Sequence, residues 1–202
     1  GLVEGHSHLF EGALWSKLYC GYFDRQKPDG TISLGVKNVK ELVQKLKQEN
    51  KNLLDPKAPL AGWGLDPIYF NDKALDRKIL DMVSEQRPIG ILHASGHKLN
   101  INSVGLKLAG FLRTGINHEG LPLGEDGLPS GEIKGAETIA LVTKHVGLGK
   151  DWLSGDAEGL RNFGKICARA GVTTAADLAN LQTDEAVEMM LKVTSEPDFP
   201  AR

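Results

Sequence analysis

The sequence predicts a mixed fold of the α/β or α+β class. Three observations carry this. Short apolar runs of strand length alternate with amphipathic stretches of helical period. The 24 glycines are spread along all 202 residues, with no fixed-period repeat, low-complexity tract or long linker. A content of 41% hydrophobic and 25% charged residues is that of a globular chain able to bury a core without disulfide or metal staples.

The elements follow in chain order. Residues 2–6 (LVEGH) read as a short strand, and residues 31–34 as another. Asn38 caps a helix, with Glu41 three residues on as in a capping box. Val39, Leu42, Val43 and Leu46 then recur at three- and four-residue spacing, which carries the helix to about residue 50. Residues 61–65 form a candidate strand. Leu75, Ile79, Leu80 and Val83 indicate a second helix, closed before Arg87-Pro88 because a residue ahead of proline avoids the helical region. Residues 88–94 (PIGILHA) are an apolar run of strand length, and Asn102 caps a short helix through Leu108 that Gly110 ends.

Residues 115–131 read as a loop, with Gly120, Pro122, Gly124, Gly127 and Pro129 set among acids, an excursion that could lie over a pocket. A helix over 136–146 stops at Gly147. The strongest helix spans 151–170, with Leu160, Phe163, Ile166, Cys167 and Ala170 on one face and Gly171 at its end. Residues 172–178 (VTTAADL) read as a buried strand, and Thr183 caps a final helix to about Lys192.

Charge and cysteine content narrow the function classes. A net charge of -2, from 24 basic and 26 acidic residues, lacks the basic surface of a nucleic-acid binder. No apolar run approaches the roughly 20 residues of a membrane span, and the opening residues have neither the basic nor the apolar region of a signal peptide. Cys20 and Cys167 make no disulfide framework, so a reducing, cytoplasmic compartment is expected. The chain starts at Gly1 without methionine and stops at Asp198-Phe199-Pro200-Ala201-Arg202, and both ends read as cut.

His6-Ser7-His8 is the sharpest local feature. Residues i and i+2 of a strand point to one side, so two neutral imidazoles there can grip one metal ion; two histidines in a surface turn is the alternative. His97 follows Gly96 and could hydrogen-bond a substrate group or cap its own loop. His93, inside an apolar run, reads as a core histidine. Glu132 could contact substrate or stand as a solvated or helix-capping carboxylate. Asp177, at the end of the second strand, could line a pocket or serve structure, and Trp63 and Asp66 could line a cleft, with packing the stronger reading for the tryptophan. There is no Gly-x-Ser-x-Gly elbow, P-loop or dinucleotide fingerprint.

The segment Gly1-Leu2-Val3-Glu4-Gly5-His6-Ser7-His8-Leu9 resembles the first-strand motif of the amidohydrolase superfamily, with Glu4 where Asp is usual. Gly62-Trp63-Gly64-Leu65-Asp66 resembles a segment of the subgroup similar to N-substituted formamide deformylase. Leu75-Asp76, Arg87-Pro88, Ser95-Gly96-His97, Asn102-Ser103, residues 127–133 and residues 171–177 follow that subgroup's order, which also resembles proteins labelled exoenzyme regulatory proteins.

The resemblance implies a metal-dependent hydrolase acting on C–N bonds of the amide type with a metal-activated water. His6 and His8 map onto first-strand metal ligands, with a divalent metal, zinc, as cofactor and a small molecule as substrate. It implies a partial TIM barrel: a first strand and loop over 1–20, an inserted α+β subdomain over 21–150, and helix, second barrel strand and following helix over 151–202. A whole barrel needs roughly 250 residues. The chain is therefore expected to be a fragment, inactive alone and a weak metal binder, its open strand edges covered by the insertion or paired in a homodimer. A noncatalytic regulatory or interaction module reusing the insertion is the alternative, and a small hydrolase completed by oligomerisation is disfavoured because each copy brings the same two ligands.

Overall fold

A short parallel strand pair, formed from segments 170 residues apart at Leu2 and Val172, anchors one half of the molecule. The computed structural model describes residues 1–70, 74–149, 155–178 and 182–201. In chain order the elements are β1 (Leu2–Glu4), α1 (Glu11–Leu14), β2 (Leu18–Tyr19), β3 (Arg25–Gln26), β4 (Ile32–Ser33), α2 (Val39–Asn52), β5 (Leu60–Leu65), α3 (Arg77–Asp81), β6 (Ile89–His93), β7 (Lys98–Ile101), α4 (Ser103–Leu108), β8 (Glu132–Lys134), α5 (Ala136–Val142), α6 (Ala157–Arg169), β9 (Val172–Ala175) and α7 (Asp184–Thr194). The chain divides into two units: Gly1–Lys17, Arg25–Ser33 and Asp151–Arg202 form the first, Leu18–Asp24 and Leu34–Lys150 the second.

The first unit is built on the parallel pair β1–β9 and the small antiparallel hairpin β3–β4. Helix α6 starts where Asp156 accepts the Gly159 N–H at 2.6 Å, so the helix expected from residue 151 begins at Ala157; residues 151–154 lie outside the described residues. Its apolar stripe buries Phe163 and Cys167 with Ala201, against Leu9, Val172, Ala175 and Phe199. Gly171, at φ +72°, turns the chain out of the helix into β9. The segment 172–178 read as a buried strand, but only Val172–Ala175 is strand, and Thr173 and Thr174 are exposed. Strand β1 is exposed at all three residues. Among the described residues these two strands pair only with each other, which leaves the outer edge of each unpaired.

The second unit carries a mixed five-stranded sheet in the order β2-β5-β6-β7-β8. The first three strands run parallel, and β7 and β8 join antiparallel. All five residues of β6 are buried, as expected of a central strand covered on both faces. Leu42 and Leu46 of α2 and Leu80 of α3 pack with Cys20, Leu60, Ile89 and Ile91 into one core. The predicted cap of α2 is present: Asn38 accepts the Glu41 N–H at 2.9 Å. The second helix is shorter than its apolar spacing indicated, spanning Arg77–Asp81 from an Asp76 cap. The helix over 136–146 is α-helical only to Val142 and tightens into a 3-10 turn at Thr143–His145.

The loop over 115–131 is fastened to α3. Arg77, 8% exposed, donates Nε–H to the Pro129 carbonyl at 3.0 Å, its backbone N–H bonds Ser130 at 2.7 Å, and its Nη2 pairs with Asp126. The Lys78 ammonium and then the Arg77 guanidinium hold the Asp126 carboxyl down to about 2. A carboxyl lowered in the folded state adds stability above its unfolded pKa and loses it as pH falls through the folded one. The urea midpoint of Asp126→Asn should therefore lie below that of wild type at neutral pH. That gap should shrink below about pH 4 and vanish below about pH 2. A gap independent of pH would refute the pairing.

Candidate functional site

Strand β1 ends at Glu4, so His6 and His8 stand just past its C-terminal end rather than within it. The parallel register nevertheless continues. Ala176 N–H bonds the Glu4 carbonyl at 2.9 Å, and Ser7 N–H bonds the Ala176 carbonyl at 2.7 Å. Glu4 folds its carboxylate back onto the His6 N–H at 3.0 Å. The His8 carbonyl accepts the Glu11 N–H at 3.0 Å at the entry to α1.

These bonds hold the two imidazoles together. Their ring centres are 5.2 Å apart and the planes cross at 82°. Metal–nitrogen bonds of about 2.0–2.1 Å at a tetrahedral angle set the centres of two imidazoles on one ion about 5 Å apart. The pair therefore fits as two ligands of such an ion. Phe10 stacks on His8 at 5.3 Å and 24°. Asp177 lies beyond the end of β9, its side chain 5% exposed, with Oδ1 3.9 Å from His8 Nδ1 and Oδ2 accepting the Leu9 N–H at 3.1 Å. Among the described residues no three His, Cys, Asp or Glu side chains are grouped to hold a metal.

The structure thus brings His6, His8 and Asp177 together in the first unit, while Trp63, Asp66, His97 and Glu132 belong to the second. Trp63 is buried against the Tyr19 ring, with centres 5.3 Å apart. Asp66 caps the 3-10 turn Pro67–Tyr69 by accepting the Ile68 N–H at 3.1 Å. His97 is exposed after Gly96, in the turn between β6 and β7. Glu132 sits on β8 with Lys98 at 3.2 Å and Lys134 at 3.4 Å. Burial opposes its ionisation, but these lysines prevail and hold its carboxyl below the usual range.

His93, Cys20 and Cys167 are set aside by burial. His93 is buried with Nε2 2.5 Å from Asn100 Oδ1, so that nitrogen carries the proton, and burial pushes its pKa down. Burial pushes the Cys20 thiol up to about 12 and raises that of Cys167, so neither is a nucleophile at neutral pH. Phe10 and the Leu9 amide escaped the sequence reading. Phe10 could have been noticed at i+2 from His8, but the Leu9–Asp177 bond joins positions 168 residues apart and leaves no local signal.

A family model described as "Amidohydrolase family" matches residues 1–202. No curated protein matches the chain. Among solved structures, the chain is similar to an uncharacterized metal-dependent hydrolase from Pyrococcus horikoshii OT3, with a TM-score of 0.57 and 16% identity over 99% of this chain and 35% of that one. It is also similar to an uncharacterized metal-dependent hydrolase from Pyrococcus furiosus, with a TM-score of 0.55 and 14% identity over 99% of this chain and 36% of that one. At such identities the likeness is one of fold. The chain spans about a third of the length of these structures.

Proposed function

The chain belongs to the amidohydrolase family, and from that premise we propose that it is part of a metal-dependent hydrolase cleaving C–N bonds of the amide type in a small molecule. The observation that carries this reading is the imidazole pair, His6 and His8, with ring centres 5.2 Å apart at the C-terminal end of a parallel strand. Active sites of parallel barrels lie at that end, and β1 and β9 are on this reading the first two strands of a partial TIM barrel. When bound, a divalent cation, zinc by the chemistry of imidazole donors, supplies Lewis acidity to a carbonyl and acidifies water.

His6 and His8 hold the cation as neutral ligands. Glu4 keeps the His6 backbone in its turn. His97, exposed after Gly96, is the second unit's candidate for a hydrogen bond to substrate. The resemblance of residues 62–66 and 127–133 to the N-substituted formamide deformylase subgroup favours an N-acyl substrate. Among the described residues the two imidazoles fall short of the three protein ligands typical of catalytic zinc, and on this reading the isolated chain is inactive and binds zinc weakly. Leu2 and Val3, 64% and 73% exposed on β1, offer an open edge through which two copies pair. Free, buried Cys20 and Cys167 suit a reducing cytoplasm.

The test is zinc titration of wild type and His6→Ala by calorimetry. Loss of a direct ligand should weaken binding by at least the roughly 10–100-fold typical of an outer-shell partner. Equal affinity in the two proteins would overturn the assignment.

A further inference from the structure

We propose that Asp177 is a positioning residue whose carboxylate pins the turn after β1 and holds His8 in the tautomer that leaves Nε2 open to a cation. The proposal rests on the reading of His6 and His8 as metal ligands, and its first measurement does not depend on metal.

The argument starts from burial. With its side chain 5% exposed, Asp177 needs compensation for its charge, and two groups of one turn contribute to it. Oδ2 accepts the Leu9 N–H at 3.1 Å, which fixes the backbone one residue beyond His8. Oδ1 lies 3.9 Å from His8 Nδ1, too far for a hydrogen bond but close enough for charge to choose where a proton sits. A neutral imidazole has one N–H and one lone pair. A buried carboxylate facing Nδ1 favours the proton there, and the lone pair then falls on Nε2.

The His8 ring is half exposed, and its protein neighbours are aromatic. Phe10 lies against one face at 5.3 Å, and the His6 ring abuts it at 5.2 Å. Metal-binding histidines commonly have their second ring nitrogen directed to a carboxylate or carbonyl, which orients the ring and sets its tautomer. Asp177 lies on the Nδ1 side of His8, beyond hydrogen-bond distance, just past a strand that pairs in parallel with β1.

A purely structural role for Asp177 would leave the His8 tautomer unaffected. Asp177→Asn separates the two roles, because an amide oxygen of the same size can still accept the Leu9 N–H but carries no charge. Nitrogen-15 NMR of the His8 ring in the metal-free chain, with the imidazole neutral, reads the tautomer directly. Wild type should show the Nδ1–H form, and Asp177→Asn should shift His8 toward Nε2–H while its circular dichroism is unchanged. Zinc affinity by calorimetry should fall about 10–100-fold in Asp177→Asn.

An Nε2–H tautomer in wild type overturns the proposal, and so does an Asp177→Asn chain with both tautomer and zinc affinity unaltered. If Asp177→Asn does not fold, the wild-type tautomer decides alone. A wild-type chain that shows Nδ1–H but takes up no zinc overturns the metal reading and leaves the carboxylate's hold on His8 standing.

Discussion

Asn102→Ala is expected to destabilise the second unit by about 3–5 kcal/mol, close to the upper end for one substitution. Asn102 is fully buried. Its Oδ1 accepts the N–H groups of Ile89 and Gly105, each at 3.0 Å. Its Nδ2 donates to the carbonyls of Ser84 at 3.0 Å and Arg87 at 2.8 Å. One side chain thus caps α4, starts β6 and closes the turn ahead of Pro88.

Alanine would strand two N–H groups and two carbonyls at once, each uncompensated group costing about 1–3 kcal/mol unless water enters. Asn102→Asp separates the parts. It keeps both acceptor contacts and turns a carboxylate on two carbonyl oxygens, so it should be at least as damaging as Asn102→Ser, which keeps the cap alone. Urea unfolding read at 222 nm measures all three. A loss below about 1 kcal/mol for Asn102→Ala would show that water replaces the amide at little expense.

Gly12→Ala should destabilise the first unit by about 3 kcal/mol, with Gly159→Val of similar size. Helices α1 and α6 approach so closely that a Cβ on Gly12 would stand 1.9 Å from the Gly159 carbonyl oxygen and 2.7 Å from the Phe163 nitrogen. A Cβ on Gly159 would stand 2.8 Å from the Ala13 nitrogen. These neighbours are backbone, so no rotamer change relieves them and the helices must separate. Replacing a helical glycine would by itself bring about 1 kcal/mol of propensity, and the steric term outweighs it. Because α1 is entered three residues after His8, the separation should also disturb the imidazole pair. Thermal unfolding and zinc titration of the same variants should therefore deteriorate together. Gly12→Ala that melts with wild type would refute the close approach.

The features legible in the chain are those whose cause is local. Asn38, Asn102 and Thr183 read as helix caps because a cap bonds an N–H two or three residues away, and all three do so. The buried face of α2 was legible in Leu42, Val43 and Leu46, since a helix of 14 residues repeats its period several times. The imidazole pair was legible too, because positions 6 and 8 stay adjacent whether the backbone is strand or turn.

Other elements are too short to show any period. Strands β2, β3 and β4 have two residues each and α1 has four, and β7 and β8 exist because β6 and then β7 offer an unpaired edge to bond. Asn102 read as a cap, yet its two carbonyl contacts lie 15 and 18 residues back, where no periodicity points.

What the sequence determined by itself, then, is the mixed class, the capped helices and the presence of two adjacent histidines that can serve a metal. The tertiary structure decided which groups stand around them. It brought Asp177 across 168 residues to Leu9 and set the rings 5.2 Å apart. The physical reason is that caps and helical stripes arise from interactions within a few residues, whereas a parallel strand pair and a buried carboxylate's partners are chosen by chain segments that only folding brings into contact.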